Sequence, residues 1–212
     1  MRRAMIRLTK VTFLLFAAAA IAAAQQPPQG GGARGGQGGG RQGGGAPPPL
    51  RLTSPGFADG AMLPVKYSCT AGSAAVSPQL QWRNAPRDTV SFALIVHDME
   101  PRPRKGADDI LHWMVWNIPA SANGFPEGVP SGSADLPDGS HQTNGNPGNG
   151  GIVGYRPPCP PQEVPVPHHY AFELYALDEK VDLPAGAGRA DLMKAIDGHI
   201  SAHAALIAPF NR

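Results

Sequence analysis

The chain has 212 residues, of which 24 are prolines and 27 are glycines, and its formal net charge is +2. Six of the 18 basic residues lie before residue 50 and all 16 acidic residues follow it, so residues 50–212 carry a net charge of −4 (12 − 16). Binding to a nucleic-acid backbone requires clustered Lys and Arg, so this mildly acidic region is not expected to bind nucleic acid.

Residues 1–24 have the pattern of a secretory signal peptide. Basic residues up to Lys10 precede an apolar run over residues 11–21, and Ala22–Ala24 supply small residues for cleavage. The apolar run is shorter than the roughly 20 residues that a transmembrane helix needs. We expect an exported protein, periplasmic or secreted, with no stable membrane span; an uncleaved anchor is the alternative.

Residues 25–49 predict a disordered linker. Eleven of the 27 glycines lie here, together with several prolines and almost no apolar side chain that could be buried. A G-x-G-x-x-G spacing begins at Gly30, but neither a strand before it nor a helix after it is indicated, so it does not predict a nucleotide site. Residues 50–212 have a globular composition and the length of one domain.

The globular region reads as short strands separated by Pro- and Gly-rich turns. The strongest strand patterns cover residues 90–98, 111–119 and 168–178, and weaker ones cover 65–69, 80–82 and 203–210. Both faces of residues 90–98 are largely apolar, which predicts a central strand. Helical spacing of apolar residues within Gly188–Asp197 predicts one short helix, so the fold class is mainly β.

Polar residues at the ends of these strands are the candidates for a binding site. Asp98 ends one strand before a proline-containing loop, and His112 begins the next. Each alone is more typical of a turn cap or of a packed core histidine. His168 and Tyr170 are more informative, because period-two geometry places both side chains on one face of a strand.

A run of prolines precedes that strand and predicts one rigid side of a pocket. Proline backbone has little conformational freedom to lose, so Pro160 and Pro161 can hold an apolar ridge beside the histidines. The peptide bonds before both prolines are candidates for the cis form. Cys69 and Cys159 are the only cysteines, and an even count in an exported chain predicts a disulfide that would fix this ridge.

Several blocks in order resemble the phosphatidylethanolamine-binding protein (PEBP) family, and in particular its bacterial Raf-kinase-inhibitor-like branch. They are SPQLQW (77–82), HDMEPRP (97–103), HWMVWNIP (112–119), YRPPCPPQEVPVPHHYAFELYALD (155–178) and GHISAHAALI (198–207). The resemblance covers about residues 52–212. It implies a PEBP-like fold of two antiparallel sheets in Greek-key arrangement, with a short helix near the C-terminus and a small anion pocket at the end of a sheet.

Matched to the family motifs, the ligand-binding residues implied by the resemblance are Asp98, His112, Pro160, Pro161, His168 and Tyr170. The sequence departs from the family pattern at four positions near them: Met99 replaces proline, Glu100 replaces aspartate, His169 replaces arginine, and Arg156 begins a pair that usually contains glycine. These departures affect the expected depth and preference of the pocket.

Two imidazoles and a phenol can each donate a hydrogen bond to an oxyanion. We therefore expect a phosphate-like or carboxylate anion as ligand, with affinity falling between about pH 6 and 8 as the histidines lose their protons. Neither a cofactor nor a metal site is predicted: His168 and His169 point to opposite faces of their strand, and no H-E-x-x-H motif occurs.

The favoured interpretation is an exported binding or regulatory module, inhibitor-like as the family label suggests, whose larger partner is a phospholipid head group or a protein. The alternative is a small hydrolase or lyase that uses His112, His168 and Asp98 on phosphate or carboxylate esters. No G-x-S-x-G motif occurs, which favours binding over catalysis. A tethered envelope protein with a vestigial pocket is a third interpretation.

Overall fold

The computed structural model describes residues 46–101, 109–143, 151–163, 165–184 and 186–212. The predicted signal peptide and almost all of the predicted linker lie outside these ranges. Within them, no helix has both the length and the apolar character needed to cross a bilayer.

Two antiparallel sheets form the described part of the chain. The strands are β1 (Arg51–Thr53), β2 (Leu80–Arg83), β3 (Ser91–Asp98), β4 (Ile110–Pro119), β5 (Gly124–Phe125), β6 (His141–Gln142), β7 (His168–Leu177) and β8 (Ile200–Phe210). The small sheet has the order β1-β2-β5 and the large sheet the order β6-β4-β3-β7-β8. The expected fold class, mainly β with two antiparallel sheets, is confirmed.

The large sheet is buried on both faces. On one face, side chains of β3, β4 and β7 such as Phe92, Trp113 and Phe172 pack with Trp82 and Phe125 of the small sheet. The opposite face packs against helix α1 (Arg189–Ala195) and the residues around it. This arrangement explains why all eight residues of β3, the middle strand of five, are buried, as its sequence predicts.

One predicted strand is wrong. The segment beginning at Val65 forms two short 3-10 helices, Val65–Tyr67 and Cys69–Ala74, instead of a strand. Ser68 lies between them and accepts a hydrogen bond from the backbone of Thr70 through its side chain. This local side-chain bond to the backbone competes with strand pairing, which explains why the apolar pattern misleads here.

A β-bulge interrupts the pairing of β3 with β4. Val96 pairs with Trp113 and His97 pairs with Leu111, so His112 is an extra residue with no partner on β3. Bulges re-aim a side chain and bend the strand. His112 is thereby free to leave the regular alternation of β4, and its ring meets that of Tyr170 on β7 at a centroid distance of 5.1 Å.

The proline segment, defined here as residues 155–161, is fastened to the 3-10 helices. The structure joins Cys69 and Cys159 in a disulfide with a Cα–Cα distance of 5.3 Å. The Cys69 N–H also donates to the carbonyl of Pro158 at 2.9 Å, and the Tyr155 hydroxyl donates to the carbonyl of Tyr67 at 2.9 Å. A rigid wall thus results, as the sequence predicts.

The expected cis bonds are not found. The peptide bonds of the described residues, including those before Pro160 and Pro161, are trans. The rigidity of the proline segment therefore comes from its fixed φ angles and its cross-links to the rest of the domain.

Candidate ligand-binding cleft

A cleft of about 470 Å³ opens between the ends of β3, β4 and β7 and the proline segment. All six residues that the sequence predicts for ligand binding line it: Asp98, His112, Pro160, Pro161, His168 and Tyr170. The cleft is completed by Glu100, Pro101, Ile110, Arg156 and Cys159. The structure thus brings the predicted set together, while their binding of a ligand stays a prediction.

Asp98 and His168 form a buried pair at one side of the cleft. The His168 Nδ1 lies 2.8 Å from Asp98 Oδ2, and the other carboxylate oxygen accepts a hydrogen bond from the backbone N–H of Glu100 at 3.2 Å. Burial raises the pKa of Asp98, and the hydrogen bond from His168 offsets only part of that effect. The His168 Nε2 has no hydrogen-bond partner among the described residues.

His112 is held in one tautomer by the proline segment. Its Nδ1 lies 2.8 Å from the carbonyl oxygen of Arg156, which can only accept, so Nδ1 carries the proton. The N–H of Arg156 in turn donates to the carbonyl of His112 at 2.8 Å. Burial lowers the pKa of His112 to about 4, so the ring is neutral at neutral pH and its Nε2 offers a lone pair.

This geometry corrects one expectation. His112 does not donate a hydrogen bond to an oxyanion at neutral pH, because its only proton is already committed to Arg156. Nor does His112 lose a proton between about pH 6 and 8, because the pKa of His112 lies well below that range. The sequence could not show this, since both the burial and the carbonyl partner come from a segment distant in the chain.

Tyr170 presents an unpartnered hydroxyl. The residue is 0% exposed, and its hydroxyl has no hydrogen-bond partner within the part of the chain that the structure describes. Burial, and then the nearby charge of Asp98, raise the pKa of Tyr170 far above its ordinary value, although the two groups are not in hydrogen-bonding geometry. A buried polar group without a partner costs about 1–3 kcal/mol, so its persistence at a cleft suggests a role in binding.

Arg156 is a candidate residue that sequence reasoning missed. It lines the cleft, and its guanidinium makes no ion pair with any described residue. Its positive charge opposes protonation of His112. One signal was present: Arg156 is the only basic residue in the proline segment, directly before Pro157. From the sequence it is noted only as a departure from a pair that usually contains glycine.

A larger cleft, of about 640 Å³, lies over the outer face of the small sheet. Arg51 and Arg83 pair directly across β1 and β2 there, and both are exposed. No buried polar atom without a partner lies among the described residues that line it. Convergent buried polar groups, and not volume, identify a binding site, so the cleft beside the proline segment is the better candidate.

Comparison with known proteins shows the family of the chain. The family profile described as "Phosphatidylethanolamine-binding protein" matches residues 53–211. The chain belongs to the phosphatidylethanolamine-binding protein family. The resemblance of its sequence motifs is thereby confirmed.

Relatives in this family come from distant organisms. A protein named UPF0098 from Methanothermobacter thermautotrophicus is 37% identical over 163 residues, which cover 77% of this chain and 99% of that protein. A Mycobacterium tuberculosis protein named as a lipoprotein, LppC, is 35% identical over 161 residues, covering 76% of this chain and 72% of that protein.

Solved structures of family members share the fold. The phosphatidylethanolamine-binding protein homologue CT736 from Chlamydia trachomatis superposes with a TM-score of 0.65 at 33% identity, covering 77% of this chain and 98% of that one. Escherichia coli YbcL, described as a member of the mammalian PEBP family, gives a TM-score of 0.64 at 27% identity, also covering 77% of this chain and 98% of that one.

Two departures from the PEBP pattern contact each other at the rim of the cleft. His169 donates its backbone N–H to Glu100 Oε2 at 2.6 Å, and its Nδ1 lies 2.7 Å from Glu100 Oε1. Burial would raise the pKa of Glu100, but these bonds together lower it. In this chain the glutamate and the histidine therefore form a hydrogen-bonded pair at the rim.

Three possible metal-ligand atoms, one each from Asp98, Glu100 and His168, lie within 4.8 Å of one another. In the described structure these side chains are already engaged, since His168 pairs with Asp98 and His169 pairs with Glu100. The cluster is satisfied as a hydrogen-bonded network, and the absence of a metal from its function stays a prediction.

Proposed function

We propose that this PEBP-family protein is an exported binding module whose cleft takes a phosphate- or carboxylate-type oxyanion. The observation that carries the proposal is the pair of unpartnered donors at the cleft, the Tyr170 hydroxyl and the Arg156 guanidinium. Hydrogen bonds from charged donors to oxyanions are among the strongest in proteins, and a guanidinium matches the geometry of both ligand classes.

The energetics favour a ligand larger than a free ion. Each hydrogen bond to a charged group contributes roughly 1.5–3 kcal/mol, against an association cost of roughly 4–15 kcal/mol. Two or three such bonds therefore hold a free anion only at about millimolar concentrations. The physiological ligand is then an oxyanion on a larger molecule, such as the head group of a phospholipid or a phosphorylated or acidic group of a protein partner.

Binding accounts for the lining better than hydrolysis does. Among the described residues of the cleft there is no serine, threonine or lysine, and the sulfur of Cys159 is held in the disulfide. Covalent catalysis needs a nucleophile beside its base. The neutral His112 and the buried Asp98–His168 pair are suited to fixing a ligand in one orientation.

The proposed location is the periplasm or the exterior of the cell. The signal-like residues 1–24 support it, as does a relative that is named as a lipoprotein. The Cys69–Cys159 disulfide supports it independently, because disulfides persist in oxidising compartments.

Calorimetric titration with phosphate and with acetate tests the proposal. Tyr170→Phe should weaken phosphate binding by about tenfold, which corresponds to about 1.4 kcal/mol, and Arg156→Gln should weaken it by at least as much. Tyr170→Phe should not lower the unfolding midpoint, because the lost hydroxyl has no partner among the residues that the structure describes.

Two matched variants serve as controls. Tyr175→Phe removes a hydroxyl on the opposite face of the large sheet, and Arg87→Gln removes an exposed guanidinium away from the cleft. Both should leave the affinity for phosphate unchanged. Equal affinities in all four variants, or no binding of either anion to the wild-type protein, would contradict the proposal.

A further inference from the structure

We infer that, among tetrahedral oxyanions, the cleft selects those that still carry a proton, so that a phosphate monoester monoanion binds and sulfate is rejected. This inference rests on the proposed function and narrows its phosphate class: a phosphate monoester is favoured over the phosphodiester of a phospholipid head group, which has no proton to donate. Its basis is the set of hydrogen-bonding groups that line the cleft. An anion site needs mainly donors, but this cleft also contains several acceptors.

His112 is the first acceptor. Its Nδ1–H is committed to the carbonyl of Arg156, so Nε2 carries a lone pair and has no partner among the described residues. The side chain is buried, which prevents water from screening an unfavourable contact. A ligand oxygen without hydrogen would place its lone pair against that of Nε2, whereas a ligand O–H would donate to it.

The carboxylates are the second group of acceptors. Asp98 and Glu100 both line the cleft, and an ionised carboxylate can only accept. The groups that face Asp98 are His168 and Tyr170 from β7, His112 from β4, and Glu100 from its own chain segment. A dianion would be repelled by two carboxylates, while a monoanion with an O–H can meet one of them with a hydrogen bond.

The prolines that line the cleft cannot supply backbone N–H donors to an anion. Many anion sites use backbone N–H groups, but Pro101, Pro160 and Pro161 line this cleft and have none. The Nε2 of His168 also lacks a described partner, and because Nδ1 pairs with Asp98, Nε2 accepts in the neutral ring and donates only in the imidazolium. Among the side chains of the described lining residues, the donors that lack a partner in either case are the Tyr170 hydroxyl and the Arg156 guanidinium. These can hold two or three ligand oxygens, and the remaining ligand position faces acceptors.

Size cannot produce the same discrimination. Sulfate and phosphate are tetrahedral oxyanions of nearly equal dimensions, so only the ligand's proton and its charge distinguish them. A site built to accept a hydrogen bond rejects an analogue that lacks the donor, because its buried acceptor is left unpaired. A cost of about 1.4 kcal/mol corresponds to a tenfold ratio of affinities, and we expect at least that ratio.

Calorimetric titration of the full-length protein at about pH 5 tests the inference with three small anions. Methyl phosphate then retains one proton, since the second pKa of a phosphomonoester is about 6. Dimethyl phosphate has the same charge but no proton, and sulfate has a similar size but no proton. Methyl phosphate should bind at least about tenfold more tightly than either of the others.

A variant identifies the residue responsible. In His112→Asn the amide N–H₂ can replace the donor to Arg156, while the remaining acceptor, Oδ1, lies one bond closer to the backbone than Nε2 does and withdraws from the ligand. The preference for methyl phosphate over dimethyl phosphate should therefore fall to within about threefold. His141→Asn changes a more exposed histidine that pairs with Asp135, and it should leave the preference unchanged.

The outcomes separate this inference from the proposed function. If sulfate or dimethyl phosphate binds as tightly as methyl phosphate, proton selection is wrong while anion binding stands. If none of the three binds and acetate does not bind either, the proposed function fails and the inference fails with it. If acetate alone binds, only the inference fails. The comparison of the two methylated phosphates requires no variant, so it decides the question even if His112→Asn does not fold.

Discussion

Buried histidines lie on both faces of the large sheet, but their charge states and partners differ. Asp98 and His97 are neighbours in β3, yet Asp98 faces the cleft and His97 faces the layer that contains α1. On the cleft side, His112 is neutral and the Tyr170 hydroxyl has no described partner. On the other side, a histidine of similar burial is charged and lies between two carboxylates.

The network behind the sheet centres on His97 and Glu173. The His97 Nδ1 lies 2.5 Å from Asp109 Oδ2, and its Nε2 lies 3.2 Å from Glu173 Oε2, close enough for an ion pair although not aligned for a hydrogen bond. Burial opposes the charge, but these two carboxylates together raise the pKa of His97 to about 9. Glu173 also accepts a hydrogen bond from the Tyr175 hydroxyl at 3.1 Å.

Burial disfavours the charged form of both imidazoles, and the neighbouring groups decide whether that effect is overcome. A carbonyl beside His112 fixes its tautomer but cannot hold a charge, whereas carboxylates beside His97 hold the imidazolium. Behind the sheet, His97 and Arg189 form ion pairs with carboxylates, although His97 Nε2 and Arg189 Nε make no hydrogen bond with a described residue. This network should contribute mainly to stability. The cleft keeps unpaired donors and acceptors, and should contribute mainly to binding.

The largest expected effect comes from removing the disulfide that fastens the proline segment to the 3-10 helices. The double variant Cys69→Ser with Cys159→Ser opens a cross-link between residues 90 positions apart. The chain-entropy model gives a loss of about 4 kcal/mol in the free energy of unfolding. Phosphate affinity should fall as well, because the proline segment positions Arg156 and His112. Urea denaturation measures the first effect, and a loss below about 1 kcal/mol would contradict this account of the wall.

The next effect comes from a substitution in the network behind the sheet, formed by His97, Asp109 and Glu173, which leaves the residues of the cleft unchanged. Glu173→Gln leaves the His97 imidazolium with one carboxylate partner instead of two, and we expect a loss of about 3 kcal/mol in the free energy of unfolding. The affinity for phosphate should change less than threefold. The matched control Glu163→Gln, at an exposed residue, should leave the denaturation midpoint unchanged. A Glu173→Gln protein of normal stability but weakened binding would reverse the assignment of the two faces.

The smallest effect is the pH dependence of stability, in which His97 and His112 contribute over different pH ranges. The pKa of His97 is raised, so its contribution is complete below about pH 6.5 and is lost as the pH rises towards about 9. The pKa of His112 is lowered to about 4, so its effect on stability runs the other way, and stability falls as the pH falls from about 6.5 to 4. Each change amounts to at most about 3 kcal/mol.

Variants assign the two pH ranges. Urea denaturation at a series of pH values measures the free energy of unfolding. In His112→Asn, the fall in stability between about pH 6.5 and 4 should be smaller, because the unfolded state no longer gains a proton at that position. The alkaline decline should persist in that variant and should shrink in Glu173→Gln. If His112→Asn alters only the alkaline range, the protonation states of the two histidines are assigned the wrong way round.

The sequence predicted the fold and the membership of the site well, because those depend on local periodicity and on motifs in a fixed order. The apolar character of both faces of residues 90–98 identified the central strand, and the motif blocks identified six residues that all line one cleft. What the sequence missed depends on distant partners. The bulge at His112 follows from the register between β3 and β4, and the tautomer of His112 depends on the carbonyl of Arg156, 44 positions away.

The back network was missed for the same physical reason. His97, Asp109 and Glu173 lie in different parts of the chain, and no spacing relates them. Period-two alternation does place His97 on the face opposite Asp98, and β3 and β7 pair so that Ile95 lies opposite Glu173 on that same face. Only the register between β3 and β7 reveals that Glu173 lies diagonally across from His97 on that face.

The state of the His112 ring is the central claim, and nitrogen NMR of the imidazole tests it most directly. At neutral pH we expect a protonated Nδ1 and a bare Nε2, unchanged until the pH approaches about 4. At about pH 5, where methyl phosphate retains one proton, the Nε2 signal should shift when methyl phosphate is added. A ring that is protonated at Nε2 or fully charged at neutral pH, or an Nε2 signal that ignores the ligand, would contradict the account.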